Sequence, residues 1–269
     1  MKLGFIGAGN MAGAIIGGIV NSGLCQPKDI IASALRNHRL LALKEQYSIL
    51  TTQDNEEVIK KSDIVFLCVK PQVIDTVISQ IKNTAANDKI IVSVAAGKTL
   101  EQLYSIFEVP EAKIIRAMPN TPSAVGCGMT AICHRPNIQP HDLDNVRKIF
   151  ESIGKVAVLP EELFHAFIGI AGSSPAYVFM FIEAMADAGV SHGLSRSDAL
   201  IFASQAVLGA AQMVINAGIH PAVLKDNVAS PNGTTIEAIC ELEARGFRNA
   251  VISAVDACVQ KSKKMSKDE

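Results

Sequence analysis

The sequence predicts an α/β protein in which a doubly wound parallel sheet is followed by an all-helical C-terminal domain. Three observations lead to this fold class. The first part of the chain alternates short apolar runs with helical patterns, which is typical of parallel strands buried between helices. After about Pro160, helical patterns follow one another with hardly a strand-like run. A length of 269 residues suits two domains, and we predict them over residues 1–160 and 161–269.

Five short apolar runs are predicted to be the central strands, because they have the character of strands buried on both faces. They cover residues 3–6, 30–33, 64–69, 90–95 and 114–118. Residues 129–134 and 155–159 are predicted to add edge strands. Among the intervening helices, one is closed by Gly23 and another opens at Pro71, since proline is favoured at the first helical position.

The helices of the second domain have clear end signals. One is predicted to end at Gly193, and the next to be capped by Ser195 and to end at Gly218. A further helix begins at Pro221, and the last helix leads into a lysine-rich tail, 260–269, that we expect to be frayed. The very apolar first helix carries two acidic residues and is too short between charges to span a bilayer, so we expect it to be buried.

Composition indicates a small-molecule partner rather than a nucleic acid or a membrane. The formal net charge is -1, which gives no broad electrostatic attraction for nucleic acid or an anionic lipid surface. The hydrophobic content of 49% is higher than average, and such a surplus is often buried in a subunit interface.

The N-terminus and the cysteines bear on the location of the protein. Glycines and Asn10 interrupt the apolar N-terminus, unlike a signal peptide. The six cysteines form no C-x-x-C pair, so we expect buried, reduced thiols in a cytoplasmic protein.

The first predicted strand leads directly into a glycine-rich turn and a helix, with the dinucleotide-binding pattern G-x-G-x-x-A. Gly7 lets the chain turn tightly, and Gly9 lets the backbone approach a pyrophosphate without an intervening side chain. Amide groups at the helix start then face the phosphates. The candidate cofactor residues of this turn are Gly7, Ala8, Gly9, Asn10, Met11 and Ala12.

The residues after the following strands indicate which dinucleotide binds. NAD sites usually offer an acidic residue after the second strand for the ribose hydroxyls, whereas this chain has Ser33, Arg36 and Arg39 and no acid. A hydroxyl and a cation suit the additional phosphate of NADP, so NADPH is the predicted cofactor and NADH remains possible. The third and fourth strands end at the same carboxyl edge of the sheet. Their candidate cofactor residues are Val69, Lys70, Pro71 and Ala96.

A late loop with the sequence SPNGTT, from Ser230 to Thr235, lies between two predicted helices and contains no acid or base. One interpretation is a helix cap, because Thr234 and Glu237 match a capping box. The other is an anion site, because unpaired amides at a helix start bind carboxylates. The two interpretations compete for the same amide groups.

The usual acid and base residues are poorly placed for catalysis. The histidines show no metal-ligand spacing and no obvious triad partner, so no metal is predicted. The chemistry is therefore expected to need little proton transfer from the protein. A C=N substrate fits this expectation, because an iminium carbon is already electrophilic.

Over its whole length the chain resembles the pyrroline-5-carboxylate reductase family. The resemblance rests on the motifs GFIGAGNMA, VKPQ, VSVAAG, RAMPNTP, GSSPAYVF and LKDNVASPNGTTIEAICELE. It implies that NAD(P)H reduces the imine carbon of 1-pyrroline-5-carboxylate to give L-proline, the last step of proline biosynthesis. It also implies a Rossmann-type N-terminal domain and a helical domain that interlocks with a second subunit, in a homodimer or a larger homo-oligomer such as a decamer.

The resemblance also assigns roles to residues at matching positions. The implied cofactor contacts are the turn from Gly7 to Ala12, Ser33, Asn55, Val69, Lys70 and Ala96. The implied substrate contacts are Glu161, Asn227, Thr234 and Thr235. We further expect the substrate carboxylate to meet the amides of Gly233, Thr234 and Thr235, and the Thr235 hydroxyl to be the catalytic contact with the ring nitrogen.

Two departures from the family pattern are visible. Asn232-Gly233 stands where the common loop has two glycines, and asparagine tolerates positive φ better than most residues. Ser33-Ala34 stands where bacterial relatives commonly have Asn-Arg, which leaves the cation for the phosphate to Arg36 or Arg39.

Two alternative functions stay open at this point. The first is a related NADP-dependent reductase acting on another imine or on a hydroxy acid. A hydroxy-acid enzyme would be expected to place a catalytic lysine in the helical domain, and we find no candidate between Leu163 and Asn216. The second is a non-catalytic NADP-sensing protein, against which the substrate-loop motif argues.

Overall fold

The computed structural model describes residues 1–85 and 89–266, and the chain divides into two compact units. Unit 1 comprises Met1–Gly172 together with the end of the chain from Val259, and unit 2 comprises Ser173–Cys258. The sheet and helices of unit 1 and the all-helical unit 2 confirm the predicted fold class. The division lies later than residue 160 because Phe164 and Phe167 are buried in the core of the sheet unit.

Unit 1 is built around one eight-stranded sheet. Its strands are β1 (Leu3–Ile6), β2 (Ile30–Ser33), β3 (Leu50–Thr52), β4 (Ile64–Leu67), β5 (Ile90–Ser93), β6 (Lys113–Met118), β7 (Gly128–His134) and β8 (Gly154–Val158). They lie in the order β3-β2-β1-β4-β5-β6-β7-β8. Strands β1 to β6 are parallel, whereas β7 is antiparallel to β6 and β8 is parallel to β7. A doubly wound sheet of this order binds ligands at the carboxyl ends of its parallel strands.

Some strand predictions differ from the structure. Strand β3 is not among the predicted strands, because it is only 3 residues long and its Leu50 is 46% exposed. Strand β7 is interior rather than at the edge, since it pairs with both β6 and β8. The predicted strands 64–69 and 90–95 end earlier, at Leu67 and Ser93, where the chain leaves the sheet at its carboxyl edge.

Helices cover both faces of the sheet. They are α1 (Asn10–Asn21), α2 (Asn37–Tyr47), α3 (Asn55–Lys61), α4 (Pro71–Ala85), α5 (Leu100–Phe107), α6 (Pro140–Glu151) and the short α7 (Phe164–Phe167). As predicted, Gly23 closes α1 with a positive φ, and Pro71 is the first residue of α4. Helix α5 begins with a capping box between Thr99 and Gln102, which is not among the predictions.

Aromatic packing fixes the middle of the sheet. Phe5 of β1 stacks on Phe66 of β4 with their ring centroids 4.8 Å apart, and Phe66 meets the ring of Phe150 edge-on at 5.8 Å. All three side chains are fully buried. On the other face, Ile78 and Leu103 belong to a second buried cluster. Because close-packed side chains hold the strands on both faces, the ends of the strands are held in fixed positions as well.

Unit 2 consists of helices. They are α8 (Ser174–Ser191), α9 (Arg196–Ala217), α10 (Pro221–Val228), α11 (Thr234–Ala244) and the first part of α12 (Phe247–Met265). As predicted, Ser195 caps α9 by accepting a hydrogen bond from the Asp198 N–H, and Pro221 opens α10.

The prediction of a frayed C-terminal tail is wrong over most of its length. Helix α12 continues to Met265, and its last part belongs to unit 1. There the Ser262 hydroxyl lies 2.9 Å from Nδ1 of His165, which ties the end of the helix to α7. Residues 267–269 of the predicted tail lie outside the described residues.

The prediction that the apolar helix α8 is buried is also wrong within one chain. Phe179 is 62% exposed and Met180 is 69% exposed. The side chains that α8 and α9 do bury are those of Ala186, Ala199 and Ala203. By length and apolarity alone, Glu161–Ser191 and Arg196–Ala217 could cross a membrane, but a helix that packs against another protein copy meets the same test. Three small residues are therefore buried, while large apolar residues such as Phe179 and Met180 face outward.

We expect Phe66→Ala to lower the free energy of unfolding by about 3–5 kcal/mol, because it removes the ring that contacts both Phe5 and Phe150. Urea denaturation followed by far-ultraviolet circular dichroism measures the change. Leu41→Ala on the exposed surface of α2 is the control, with an expected change within about 0.5 kcal/mol. Equal effects of the two substitutions would contradict the central packing role of Phe66.

Candidate functional site

A cavity of about 380 Å³ opens at the carboxyl ends of β1, β2 and β4. It brings together eight of the predicted cofactor residues, namely Gly7, Ala8, Gly9, Ser33, Arg36, Asn55, Val69 and Lys70. Five others do not line it, namely Asn10, Met11, Ala12, Pro71 and Ala96. These five belong to the start of α1, the start of α4 and the stretch after β5, so they lie in the sequence segments that lead away from the same edge.

The turn between β1 and α1 is built on two glycines with different tasks. Gly7 has φ of +105°, and a Cβ there would lie 2.5 Å from the Cys68 carbonyl oxygen. Its N–H donates to the Ser33 carbonyl oxygen at 2.9 Å. Gly9 is the N-cap of α1 and has no side-chain cap, and a Cβ there would meet nothing within 4 Å. Gly7 therefore makes the turn possible, while Gly9 keeps the space beside the helix start open.

The cavity is electropositive. Arg36, Arg39 and Lys70 line it, and no aspartate or glutamate is among its lining residues. Across residues 1–85 and 89–266, none of these three cations forms a salt bridge. Unpaired cations beside an uncapped helix start favour a ligand that carries several negative charges.

Three polar side chains of the cavity form a hydrogen-bonded chain. The Ser33 hydroxyl donates to Oδ1 of Asn55 at 2.7 Å, and Nδ2 of Asn55 donates to Oε1 of Gln80 at 3.0 Å. Ser33 is fully buried. In this arrangement the Ser33 hydroxyl proton is held by Asn55, and the contact of Ser33 with a cofactor phosphate stays a prediction. Ser33 positions Asn55.

One face of α4 supplies lining residues that are not among the sequence predictions. These are Val73, Thr76, Val77 and Gln80. Their spacing of three and four residues places them on one side of the helix. The available signal was the polar pair Thr76 and Gln80 on an otherwise apolar helical face.

Glu161, a predicted substrate contact, lies in unit 1 and is engaged within the protein. Its Oε1 accepts hydrogen bonds from Nη1 of Arg116 and from the Leu100 N–H, each at 2.7 Å. Arg116 is only 2% exposed, and its guanidinium lies 4.6 Å from the centre of the Phe164 ring. Glu161 thus holds the start of α5 against β6.

Burial lowers the pKa of the neighbouring His165, and the positive charges of Arg116 and Lys263 lower it further.

The SPNGTT loop in unit 2 leads into α11 without a capping box. The N-cap residue is Gly233, which has no side-chain cap, and Thr234 is already the first helical residue. The capping-box prediction for Thr234 and Glu237 is therefore wrong by one position, because Gly233 takes the extended N-cap conformation. Asn232 has φ of +57°, as its tolerance of positive φ predicts.

This arrangement decides which amide groups of the loop are available. The Gly233 N–H donates to the Ser230 carbonyl oxygen at 3.1 Å, so it is not free for a ligand. The N–H groups of Thr234 and Thr235 lie in the first turn, which no side chain caps. Thr235 is half-buried and Thr234 is exposed. Asn227, the remaining predicted contact, is exposed on α10, the helix that precedes the loop.

The cysteines are free thiols, but not all are buried as predicted. Cys127 and Cys240 are exposed. Burial raises the pKa of Cys68, which lines the cavity, to about 12, and burial is also the main reason that the pKa of Cys133 rises to about 12. Neither of these two thiols is a nucleophile at neutral pH.

Comparison with known proteins gives consistent matches over the whole chain. The family model "Pyrroline-5-carboxylate reductase dimerisation" matches residues 161–265, and the model "NADP oxidoreductase coenzyme F420-dependent" matches residues 2–97. The chain is 47% identical to the pyrroline-5-carboxylate reductase of Escherichia coli, covering 99% of this chain and 98% of that protein. It is 42% identical to the enzyme of Arabidopsis thaliana, covering 98% of this chain and 95% of that protein.

A solved structure has the same fold. The pyrroline carboxylate reductase of Plasmodium falciparum, with NADP bound, aligns with a TM-score of 0.89 and 33% sequence identity. The alignment covers 99% of this chain and 98% of that chain.

We expect Gly7→Ala and Gly9→Ala to separate folding from ligand binding. Gly7→Ala should lower the melting temperature, since positive φ and the Cys68 carbonyl together cost roughly 1–3 kcal/mol or more. Gly9→Ala should leave the melting temperature unchanged and raise the Kd for NADPH about tenfold or more, because a methyl group fills the open space at the helix start. Differential scanning fluorimetry and titration calorimetry measure the two effects. A Gly9→Ala protein with wild-type affinity would show that the phosphates lie elsewhere.

Proposed function

The chain belongs to the pyrroline-5-carboxylate reductase family, and on that premise we propose how its residues carry out the reaction. The protein is an NAD(P)H-dependent oxidoreductase that reduces 1-pyrroline-5-carboxylate to L-proline in proline biosynthesis. The observation that carries this function is the 47% identity to a curated reductase over 99% of the chain.

The cavity of unit 1 suits NADPH. The open space at Gly9 and the uncapped start of α1 provide for the pyrophosphate, with Asn10 and Met11 contributing backbone N–H groups. Arg36 and Arg39 provide positive charge for the 2′-phosphate. Ala12 is fully buried, and its small side chain keeps α1 close to the sheet.

The other predicted cofactor residues differ in how directly they border the cavity. Val69 and Lys70 line the cavity and are proposed direct contacts. Pro71 begins α4 and so sets the direction of the helix whose face forms one wall. Ala96 follows β5 at the carboxyl edge, and its contact with the cofactor rests on the family resemblance.

The start of α11 is the proposed site for the substrate carboxylate. The Thr234 and Thr235 N–H groups are the proposed donors, supported by the absence of a side-chain cap on this helix. The positive end of the helix dipole adds to the attraction for a carboxylate. Gly233 contributes its small size rather than its N–H, because a Cβ there would overlap the Ser230 hydroxyl.

The Thr235 hydroxyl is proposed to hydrogen-bond the ring nitrogen and so to orient the imine. Asn227 and Glu161 are further substrate contacts implied by the family resemblance. For Glu161, Oε1 already accepts two hydrogen bonds within the protein, so Oε2 is the oxygen proposed to meet the substrate.

The proposed mechanism depends on position rather than on acid catalysis by a side chain. When bound, NADPH supplies the hydride. Thr234 and Thr235 hold the carboxylate and ring nitrogen, which fixes the imine carbon in one orientation. Since the protonated imine already carries positive charge, the loop needs no acid or base of its own. The lack of ionisable groups from Ser230 to Thr235 supports this mechanism.

The direct test is an assay with 1-pyrroline-5-carboxylate in which NADPH and NADH are supplied in parallel. We expect loss of reduced-cofactor absorbance and formation of L-proline, with the lower KM for NADPH. Binding of NADPH without turnover would instead support the NADP-sensing alternative.

We expect Thr235→Ala to reduce kcat/KM for the substrate by about 10- to 100-fold, because the N–H of the protonated imine loses the hydroxyl oxygen that accepts its hydrogen bond and orients the ring. Thr235→Ser, which keeps the hydroxyl, should retain most of the activity. Steady-state kinetics at saturating NADPH measure both, and an unchanged melting temperature excludes misfolding. A Thr235→Ala protein with wild-type turnover and substrate saturation would rule out the proposed role.

The match to a dimerisation domain indicates a homo-oligomer. We propose that it is at least a homodimer, and that dimers can assemble further into a decamer. The outward-facing apolar residues of α8 and α9 support this proposal, because a contiguous apolar surface of this kind is typical of an obligate interface.

Phe179→Glu should weaken the association, since it buries a charge in the proposed interface. We expect a lower molar mass in size-exclusion chromatography with light scattering. Leu41→Glu, on an exposed position of α2 in unit 1, is the matched control and should leave the molar mass unchanged. A wild-type mass for Phe179→Glu would place the interface on another surface.

We also propose a cytoplasmic location. The six free cysteines support it, because thiols persist in a reducing compartment.

A further inference from the structure

Gln80 is the last cavity-lining residue on the face of α4 that also carries Val73, Thr76 and Val77. Its amide oxygen accepts a hydrogen bond from Nδ2 of Asn55 at 3.0 Å. The proposed function gives Gln80 no role. Its position at the end of a hydrogen-bonded chain nevertheless determines what it can offer to a ligand.

The direction of this chain is set at its buried end. Ser33 is fully buried, and a buried hydroxyl has to place its proton on an acceptor. That acceptor is Oδ1 of Asn55, at 2.7 Å. In this arrangement Nδ2 of Asn55 points towards Gln80. A reversed Asn55 amide would leave the Ser33 proton without this acceptor.

The fixed direction makes Gln80 a hydrogen-bond donor towards the cavity. Because Oε1 of Gln80 is used by Asn55, the Nε2 group, with two protons, remains for a ligand. Within the described residues, Nε2 has no hydrogen-bond partner. Arg36 and Arg39 line the same cavity, and no carboxylate does. The cavity lining therefore offers hydrogen-bond donors and positive charge.

A cavity lined by hydrogen-bond donors and cations, without a carboxylate, discriminates between the two nicotinamide cofactors. The 2′-hydroxyl of NADH is best held by a carboxylate that accepts its proton, whereas a 2′-phosphate offers only acceptor oxygens at full charge. We propose that Gln80 is a specificity-determining residue that recognises the 2′-phosphate of NADPH through Nε2, with Ser33 and Asn55 as positioning residues. This inference rests on the cofactor site proposed above.

The decisive substitution is Gln80→Glu. It keeps the size of the side chain and an acceptor for Asn55, but it replaces the donor with a negative charge. Titration calorimetry with 2′,5′-ADP and with 5′-ADP isolates the phosphate contact from the rest of the cofactor. We expect the Kd for 2′,5′-ADP to rise about tenfold or more, and the Kd for 5′-ADP to stay the same or fall, because its 2′-hydroxyl can donate to the new carboxylate.

Kinetics should show the same selectivity. For Gln80→Glu, KM for NADPH should rise, whereas KM for NADH should stay the same or fall, because the new carboxylate can accept the proton of the 2′-hydroxyl, and kcat should stay within about twofold of wild type. Gln46→Glu, an exposed position on α2 that does not line the cavity, adds the same charge elsewhere. It should change neither Kd, which separates a local contact from the effect of net charge.

Ser33→Ala provides a second, independent variant. It releases the Asn55 amide without touching Gln80, so the Kd for 2′,5′-ADP should rise in the same direction by a smaller factor, about threefold. An unchanged Kd for 2′,5′-ADP in Gln80→Glu, or an equal loss for both nucleotides, would overturn the role of Gln80. A wild-type protein that binds neither nucleotide would overturn the cofactor site itself, so the two failures are distinguishable.

Discussion

The close approach of Gly7 to the chain after β4 is the constraint on which the cofactor half of the molecule depends. The Gly7 N–H is bonded to the Ser33 carbonyl oxygen, and the Cys68 N–H is bonded to the Ile6 carbonyl oxygen. These two bonds join the ends of β1, β2 and β4 at a single point. The carbonyl of Cys68 then occupies the space that a side chain at position 7 would need. Beyond this point the segments that follow β1, β2 and β4 diverge, and the cavity lies between them.

Ser33 extends the same constraint to the helices. Its backbone carbonyl holds the glycine turn, while its hydroxyl orients Asn55 at the start of α3. Asn55 in turn contacts Gln80 on α4. One buried residue therefore connects the glycine turn with two helices that line the cavity. A small polar residue therefore suits the last position of β2. Its side chain is buried, and its hydroxyl donates one hydrogen bond to Asn55.

Much of this organisation could be predicted from the sequence, because local chemistry determines it. Short apolar runs predicted the main strands, Pro71 and Ser195 marked helix starts, and the spacing of Gly7 and Gly9 predicted the tight turn between β1 and α1. What the sequence could not show depends on neighbours in space. The hydrogen bond from the Ser33 hydroxyl to Asn55 depends on the path of α3, which the segment around Ser33 does not encode.

A difference of one residue had a similar effect in the SPNGTT loop. Thr234 and Glu237 have the capping-box spacing, yet Gly233 occupies the N-cap position because Asn232 turns the chain with positive φ. The sequence pattern was therefore correct and its register was not. The polar pair Thr76 and Gln80 marks one face of α4 in the sequence, but the contact of Gln80 with Asn55 could not be predicted, because spacing does not show what a helical face contacts.

Unit 2 is subject to a different constraint. The structure describes all of its residues, and those it buries are alanines, Ala186, Ala199 and Ala203. Small side chains let α8 and α9 approach closely: a Cβ at Gly189 would be only 3.1 Å from Cβ of Ala199. Such contacts bury little apolar area, so they contribute less stability than a core of large side chains. The larger apolar residues, such as Phe179 and Met180, point outward instead. The SPNGTT loop, which is the proposed substrate site, thus belongs to a unit whose large apolar side chains are exposed within one chain. Covering that surface with the proposed second copy would stabilise the helices on either side of the loop, and so couple substrate binding to assembly.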